Sequence, residues 1–375
     1  MAPRGGAGRD RGLGHTAKSR KCRPTATATG GVRHNRFMER SWDRGQSFLE
    51  LSRPEVETLV RGILPGASVV GVEPLTAGLR NTNLRLSLAG AAPDVPEESA
   101  PASTAVLRLY TADPSACARE AALLSSLPPA VPVQRVLGAR PAAAVPYSLL
   151  SWLPGAEMDE TLRSCGPEVA LDLARQCGGM LAAIHARRFG RPGFLGPDLT
   201  VARPMPDWGD AMVEELDLAA PRLGSDLASR VRRCARSNAP VVHGVWTEAA
   251  LVHADFKPWN LLAAAEEPGA SASPGSRSGW RVVGVLDWEF ACSGCRLIDF
   301  GTFLRDVDSR PPGYAEAFAG GYRAAGGELP AGWPRLTLLV DLLSLVQMAG
   351  RSAGRAATDL QRLIWASIDS VERLR

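Results

Sequence analysis

The chain has 375 residues, 45% of them hydrophobic, and 43 Lys and Arg against 39 Asp and Glu give a formal net charge of +4. That length suggests two lobes or domains, each able to bury a core, and no stretch approaches the roughly 20 apolar residues that a membrane span needs. The basicity is local: residues 1–46 carry 11 basic side chains against 3 acidic ones, and the remainder carries 32 against 36.

Residues 1–46 are rich in Gly, Arg, Thr and Ala without apolar periodicity, so they are expected to form a disordered basic tail. The acid-poor, Arg-rich start also fits an organelle-targeting segment, and a third account makes Met38 the true initiator. Phe37 and Trp42 are the tail's only Phe, Tyr or Trp residues, too few for the aromatic interleaving of a nucleic-acid arm, so nucleic acid is not an expected partner. Seven scattered cysteines with no apolar signal segment suggest reduced thiols and a soluble, cytoplasmic protein. Cys292 and Cys295 form a lone CxxC and are expected to pack, not to bind zinc.

From Ser52 the pattern becomes orderly. SRPEVETLVRGIL offers an N-cap serine before an apolar-periodic helix. Strand-type runs follow in SVVGVEPL, NTNLRLSL and TAVLRLY, the last two separated by a Pro/Ala/Glu loop from Gly90 to Ser103. In DPSACAREAALLSSL, Asp113 can cap a helix with Pro114 at its first position, and Glu120 shares the face of Ala116, Leu123, Leu124 and Leu127. VPVQRVLGAR and VPYSLLSWLPG read as two more strands before the character changes at Pro154 and Gly155. Helical patterns then dominate: GPEVALDLARQCGGMLAAIHARR, the acidic DWGDAMVEELDL, DLASRVRRCARS, and a C-terminal set from Pro334. Residues 263–279 read as a low-complexity insert at a hairpin tip. The organisation is α+β, with a tail over 1–46, a strand-rich lobe over 47–153 and a helix-rich lobe over 154–375.

Two stretches carry chemistry. LVHADFKPWN, residues 251–260, sets His253, Asp255, Lys257 and Asn260 among apolar neighbours. VVGVLDWEFA, residues 282–291, ends a β-run in Asp287 and Glu289, which strand alternation would place on one face. Hard oxygen ligands at such a position suit Mg²⁺. Together they offer a carboxylate to deprotonate an acceptor hydroxyl, and an amide with further carboxylates to hold metal against a triphosphate.

The spacing H-x-D-x-x-x-x-N from His253 to Asn260, followed by a hairpin ending in Asp287, resembles the aminoglycoside phosphotransferase and choline kinase branch of the protein kinase-like fold, over about residues 55–365. The resemblance implies a β-rich N-lobe and a helical C-lobe with ATP or GTP and Mg²⁺ in the cleft between them, and a small hydroxyl-bearing acceptor. It implies that Asp255 is the catalytic base, that Asn260 and Asp287 are metal ligands with Glu289 beside them, and that His253 braces the loop. Arg108 falls at the basic strand position that meets the phosphates, and Glu120 at its ion-pair partner. Gly78 and Asn81 fall in the nucleotide-covering hairpin, which has one glycine where protein kinases have three. Ser151 and Trp152 fall at the inter-lobe hinge, where backbone groups would meet a purine edge. Lys257 is a helper near the transferred phosphate or a surface charge. His185, in LAAIHARR, reads as a core histidine.

Rival readings are a protein kinase, disfavoured by the missing triple-glycine loop, a catalytically silent nucleotide-binding module, and a metallohydrolase built on His253, Asp255 and Asp287. The acidic residues Asp207, Asp210, Glu214, Glu215 and Asp217, with Trp208 nearby, suggest an acceptor bearing a cationic amine.

Overall fold

The computed structural model describes residues 48–75, 80–90, 103–266 and 277–374. The basic tail with Met38, and Gly78 in the nucleotide-covering hairpin, lie outside the described residues, as do residues 91–102 and 267–276.

Helix α1 (Arg53–Arg61) opens where the sequence signals it: the Glu55 carboxylate accepts from both the N–H and the hydroxyl of Ser52, at 2.7 and 2.6 Å. Strands β1 (Ser68–Leu75), β2 (Thr82–Ala89) and β3 (Ser103–Leu109) follow, then α2 (Ala116–Leu124), β4 (Val136–Arg140) and β5 (Tyr147–Ser151). They form one antiparallel sheet in the order β1-β2-β3-β5-β4. Alternation along β2 buries Thr82, Leu84, Leu86 and Leu88, and the apolar side packs on Val56 and Val60 of α1.

Asp113 does not cap α2. Its carboxylate accepts from the N–H and hydroxyl of Ser115, at 3.0 and 2.6 Å, so the local turn takes the acceptor and the helix starts only at Ala116.

Beyond Ser151 the chain enters other sheets and most of the helices. In order come β6 (Ala156–Glu157), α3 (Met158–Ser164), α4 (Pro167–His185), β7 (Gly193–Leu195), β8 (Val201–Pro204), α5 (Trp208–Leu223) and α6 (Ser225–Trp246). Then follow β9 (Ala250–Val252), β10 (Leu261–Ala265), β11 (Trp280–Val285), β12 (Cys292–Gly294), α7 (Leu297–Leu304), α8 (Tyr314–Ala324), α9 (Trp333–Arg351) and α10 (Gly354–Arg373). The short strands form two small sheets, β11-β10-β6 and β8-β7-β12-β9. The result is the α+β, two-lobed, kinase-like arrangement that the strand-then-helix order implied, and no helix among the described residues is long and apolar enough to cross a membrane.

Several boundaries differ from the sequence reading. Residues 263–265 belong to β10, not to a loop, because Ala263, Ala264 and Ala265 pair with Val282, Arg281 and Trp280. The stretch read as DLASRVRRCARS is the first half of α6, which continues through Pro240 to Trp246. Helices α7 and α8 were not singled out. Six of the eight α7 residues are buried, so it shows no polar face to give it a helical period.

Helix α4 positions the segment that leads to Asp287. It meets α8 at glycines, since a Cβ on Gly178 or on Gly321 would lie 2.0 Å from the Phe318 or the Arg175 carbonyl oxygen. Its Asp172 accepts from the Arg277 and Ser278 N–H groups at 2.8 and 3.0 Å, and Gln176 bonds Trp280 O and Val282 N. Those contacts seat β11, whose end delivers Asp287.

Candidate active site

Strand β9 is wholly buried and feeds directly into His253. The His253 Nε2–H donates to Leu286 O at 2.9 Å, while Nδ1 accepts from the Asp255 N–H at 3.2 Å, which fixes one neutral tautomer. Its ring packs against Trp288 at a tilt of 54°, with centroids 4.5 Å apart. Both nitrogens are therefore engaged, and the metallohydrolase reading loses its imidazole ligand.

The turn after His253 is held by a residue that sequence reasoning missed. Asp299, in α7, accepts from the backbone N–H of His253 at 2.8 Å and of Ala254 at 2.7 Å. Ala254 sits at φ +64°, a left-handed conformation unfavourable for a residue with a Cβ, and the Asp299 carboxylate holds it there. Asp299 in turn meets His185 Nε2 at 3.0 Å, and His185 Nδ1 meets the Tyr322 hydroxyl at 3.0 Å. Burial drives the His185 pKa below its ordinary value, despite the opposing pull of Asp299, so the ring is neutral near pH 7. His185 is the satisfied core histidine that its helical stripe suggested.

Asp255 follows on this fixed turn. Asn260 Nδ2 donates to the Asp255 backbone carbonyl at 2.9 Å and to its Oδ2 at 2.8 Å. Lys257 Nζ lies 2.9 Å from Oδ1 and 5.4 Å from the centre of the Trp259 ring. Leu286 N–H donates to Asn260 O at 2.8 Å, so the same Leu286 peptide region grips both His253 and Asn260.

Strand β11 ends at Val285, two residues before Asp287, and Asp287 adopts φ +64°. The expectation that Asp287 and Glu289 share one face of an extended strand is therefore corrected: the backbone turns at Asp287, which holds Arg108 closely, while Glu289 turns chiefly to Asn81 and Arg80. Asp287 Oδ1 accepts from Arg108 Nη2 at 2.6 Å. Burial raises the Asp287 carboxyl pKa, but the charge and hydrogen bond of Arg108, helped by Lys257, outweigh it and hold the group below the ordinary carboxylate range.

Arg108 of β3 also places Nε 3.2 Å from Glu120 Oε2 of α2, and the other Glu120 oxygen accepts from Trp288 N–H at 3.2 Å. The stray carboxylate on the apolar stripe of α2 thus bridges β3 to the Asp287 segment. Burial opposes the Arg108 charge, yet Glu120 and Asp287 raise its pKa well above the ordinary value, so the guanidinium stays charged.

Glu289, expected beside the metal, is enclosed by other groups. Its Oε2 accepts from Asn81 Nδ2 at 2.8 Å, Arg80 Nε lies 3.2 Å from Oε1, and its backbone carbonyl accepts from Arg119 at 3.0 Å. Burial and the Asp287 charge push its carboxyl up to about 7 against the pull of Arg108, Arg80 and Asn81. At the hinge, Ser151 N–H goes to Arg135 O, Ser151 O accepts from Gln134 Nε2, and Trp152 N–H goes to Thr104 O. Those three backbone groups are hydrogen-bonded within the strand-rich lobe. The Trp152 ring lies under the Arg85 guanidinium, 4.7 Å away.

The residues at Asp287 and Asn260 fit a magnesium ion. With its NH₂ group turned to Asp255, Asn260 has its carbonyl oxygen left as donor, and Asp287 is one-third exposed with one oxygen engaged by Arg108. Two hard oxygen ligands leave room for phosphate oxygens and water, which is how Mg²⁺ is usually held. The lone CxxC does not make a second centre: Cys292 and Cys295 are buried, and burial pushes both thiols up to about 12.

The profile of the phosphotransferase enzyme family (APH) matches residues 72–339, which include every one of these side chains. The chain belongs to that family. No curated protein matches it in sequence alone. The fold of this family member is similar to that of aminoglycoside phosphotransferase APH(4)-Ia, with a TM-score of 0.57 at 19% identity over 85% of this chain and 99% of that one. A thermostable mutant of APH(4)-Ia in ternary complex with ADP and hygromycin B gives 0.56 at 20% identity, covering 84% and 98%. The GDP complex of an aminoglycoside 2'-phosphotransferase-IIIa mutant gives 0.57 at 15% identity, covering 86% and 97%. The Arg108–Glu120 ion pair is the one that the family resemblance implied, and the Asp255–Asn260 bond falls within the H-x-D-x-x-x-x-N spacing. Asp299, Arg80 and Arg119 carry no local sequence signal.

Proposed function

We propose that this phosphotransferase moves the γ-phosphate of ATP or GTP onto the hydroxyl of a small acceptor, with Asp255 as general base. The observation that carries the reading is the Asp255 carboxylate itself, fixed through Oδ2 by Asn260 and through Oδ1 by Lys257 on a turn pinned by Asp299. A positioned carboxylate of this kind orients an acceptor hydroxyl and takes its proton as the phosphoryl group transfers. Lys257, 2.9 Å from Asp255 Oδ1, sets a positive charge beside the transferred group. Arg108, held charged by Glu120, offers its guanidinium to phosphate oxygens. Asp287 and Asn260 would hold Mg²⁺, which when bound neutralises charge on the phosphate oxygens. The nucleotides named for the similar structures, ADP and GDP, support either purine.

The proposed acceptor carries an amine besides its hydroxyl. Three of the five acidic residues that suggested this are committed elsewhere: Asp207 to His243, Glu215 to Arg351 and Asp217 to Arg232. Asp210 and Glu214 stay exposed, one helical turn apart on α5. Hygromycin B and gentamicin, named for two similar structures of aminoglycoside phosphotransferases, support the same class. The free thiols suit a reducing, cytosol-like compartment.

The test is release of ADP or GDP by the full chain with a panel of amine-bearing alcohols, neutral sugars and aminoglycosides. Turnover that depends on acceptor and is lost in Asp255→Asn supports the reading. Turnover that survives in Asp255→Asn at the parent rate removes Asp255 as base, and a preference for neutral acceptors removes the amine.

A further inference from the structure

Glu289 lies two residues after Asp287, yet its contacts belong to the other lobe. Asn81, 208 residues away, donates to its Oε2, and Arg80 faces its Oε1. The Arg80 guanidinium also lies over the neighbouring Phe290 ring, 5.1 Å from its centre. Arg108 Nη2 stands 3.9 Å from the carboxylate, and Arg119 of α2 donates to the Glu289 carbonyl. The side chain is 4% exposed. Two arginines and an amide N–H surround this one buried carboxyl group, and a third arginine holds its backbone. A dication would have to enter against that positive charge and displace its hydrogen bonds. Asp287, at one-third exposure, is the opposite case.

Arg80 and Asn81 immediately precede β2, which is the return strand of the hairpin expected to cover the nucleotide. We propose that Glu289 is a positioning residue: it ties the entry of β2 to the segment carrying Asp287, so that β2 and the proposed metal-binding carboxylate move as one unit when nucleotide enters. The hairpin role rests on the nucleotide reading above. The tie itself rests on the Asn81 and Arg80 contacts to Glu289 alone. Its donors and acceptor are interchangeable in principle, since an amide on one side and a carboxylate on the other make the same bond in either direction.

Two measurements on the full chain test this. The first is hydrogen exchange of residues 80–88 without nucleotide, in the parent, Asn81→Ala, Glu289→Ala and the exchanged pair Asn81→Asp with Glu289→Gln. Both alanine variants should lose protection over 80–88, and the exchanged pair should regain most of it. Unchanged protection in either alanine variant overturns the tie, whatever the protein's activity. The second is calorimetry with ATP and with GTP, each with and without Mg²⁺. Each alanine variant should weaken the bound nucleotide about tenfold, the expected size for one charge-assisted hydrogen bond. The loss should be equal with and without metal, and the double alanine variant should be no worse than either single one. A loss confined to the Mg²⁺ titrations, with Asn81→Ala behaving like the parent, makes Glu289 a metal ligand and overturns the proposal. Failure of the parent to bind either nucleotide removes the kinase reading, while the exchange data still decide the tie.

Discussion

Asn260 and Asp255 are joined twice, because the Asn260 amide donates to the Asp255 carbonyl at 2.9 Å and to its Oδ2 at 2.8 Å. The five-residue interval allows this through the 3-10 turn Pro258–Asn260, which folds the amide back over the loop. In the proposed mechanism the same two bonds orient the base and would leave the Asn260 carbonyl oxygen for a metal, so that one side chain couples the proton acceptor to the phosphate end of the site.

Asp255→Asn should lower kcat by about 10²- to 10⁴-fold, the usual cost of removing a positioned general base. Nucleotide affinity should change little, because Asp255 faces the acceptor hydroxyl in this reading. Single-turnover rates and nucleotide titration on the same preparation check both halves. A large loss of nucleotide affinity would move Asp255 to the binding side of the reaction.

Asp287→Ala should remove the part of ATP or GTP affinity that depends on Mg²⁺ and leave the metal-free part in place or strengthened. Arg108 loses its 2.6 Å partner in this variant and becomes available to phosphate. Calorimetry with and without Mg²⁺ measures the difference, and an undiminished response to Mg²⁺ would exclude Asp287 as a ligand.

Glu120→Ala should destabilise the chain by about 3 kcal/mol, the lower end of what breaking a buried ion pair costs. Asp287 still faces Arg108 and offsets part of the loss. Urea unfolding followed by tryptophan fluorescence reads this out. A loss under about 0.5 kcal/mol, the range of ordinary surface substitutions, would show that the pair does not stabilise the N-lobe.

His185 should make stability fall as pH drops below about 6.5, its ordinary pKa. Burial lowers the folded-state value, so the unfolded chain takes up the proton first. The contribution is fully present above the unfolded pKa and is lost as pH falls through the lower folded one. Urea midpoints between pH 8 and 5, compared for the parent and His185→Gln, isolate the slope. An equally steep acid loss in His185→Gln would assign it to other groups.

Much of the site was legible because it is local. His253, Asp255, Lys257 and Asn260 lie within eight residues, and backbone geometry over that distance leaves few ways to arrange them. The strand pattern of β2 and the capping box of α1 were legible for the same reason: period and cap chemistry act over one or two turns of chain. Glu120 was visible as a carboxylate on an apolar stripe, although its partner Arg108 is on a different element.

What tertiary structure alone decided is set by contacts between distant segments. Asp299 is 46 residues from the His253 N–H that it receives, and nothing in LIDFGTFL marks it as the group that holds Ala254 in a left-handed turn. Strand periodicity placed Glu289 beside Asp287, but the backbone turns at φ +64°, and Arg80 and Asn81 at the entry of β2, with Arg108 of β3 at 3.9 Å, enclose the Glu289 carboxylate. Sequence spacing determines which groups can be neighbours along a strand or turn. The partner that each buried charge finally takes is chosen by desolvation, which requires a counter-charge from whichever segment folding brings there.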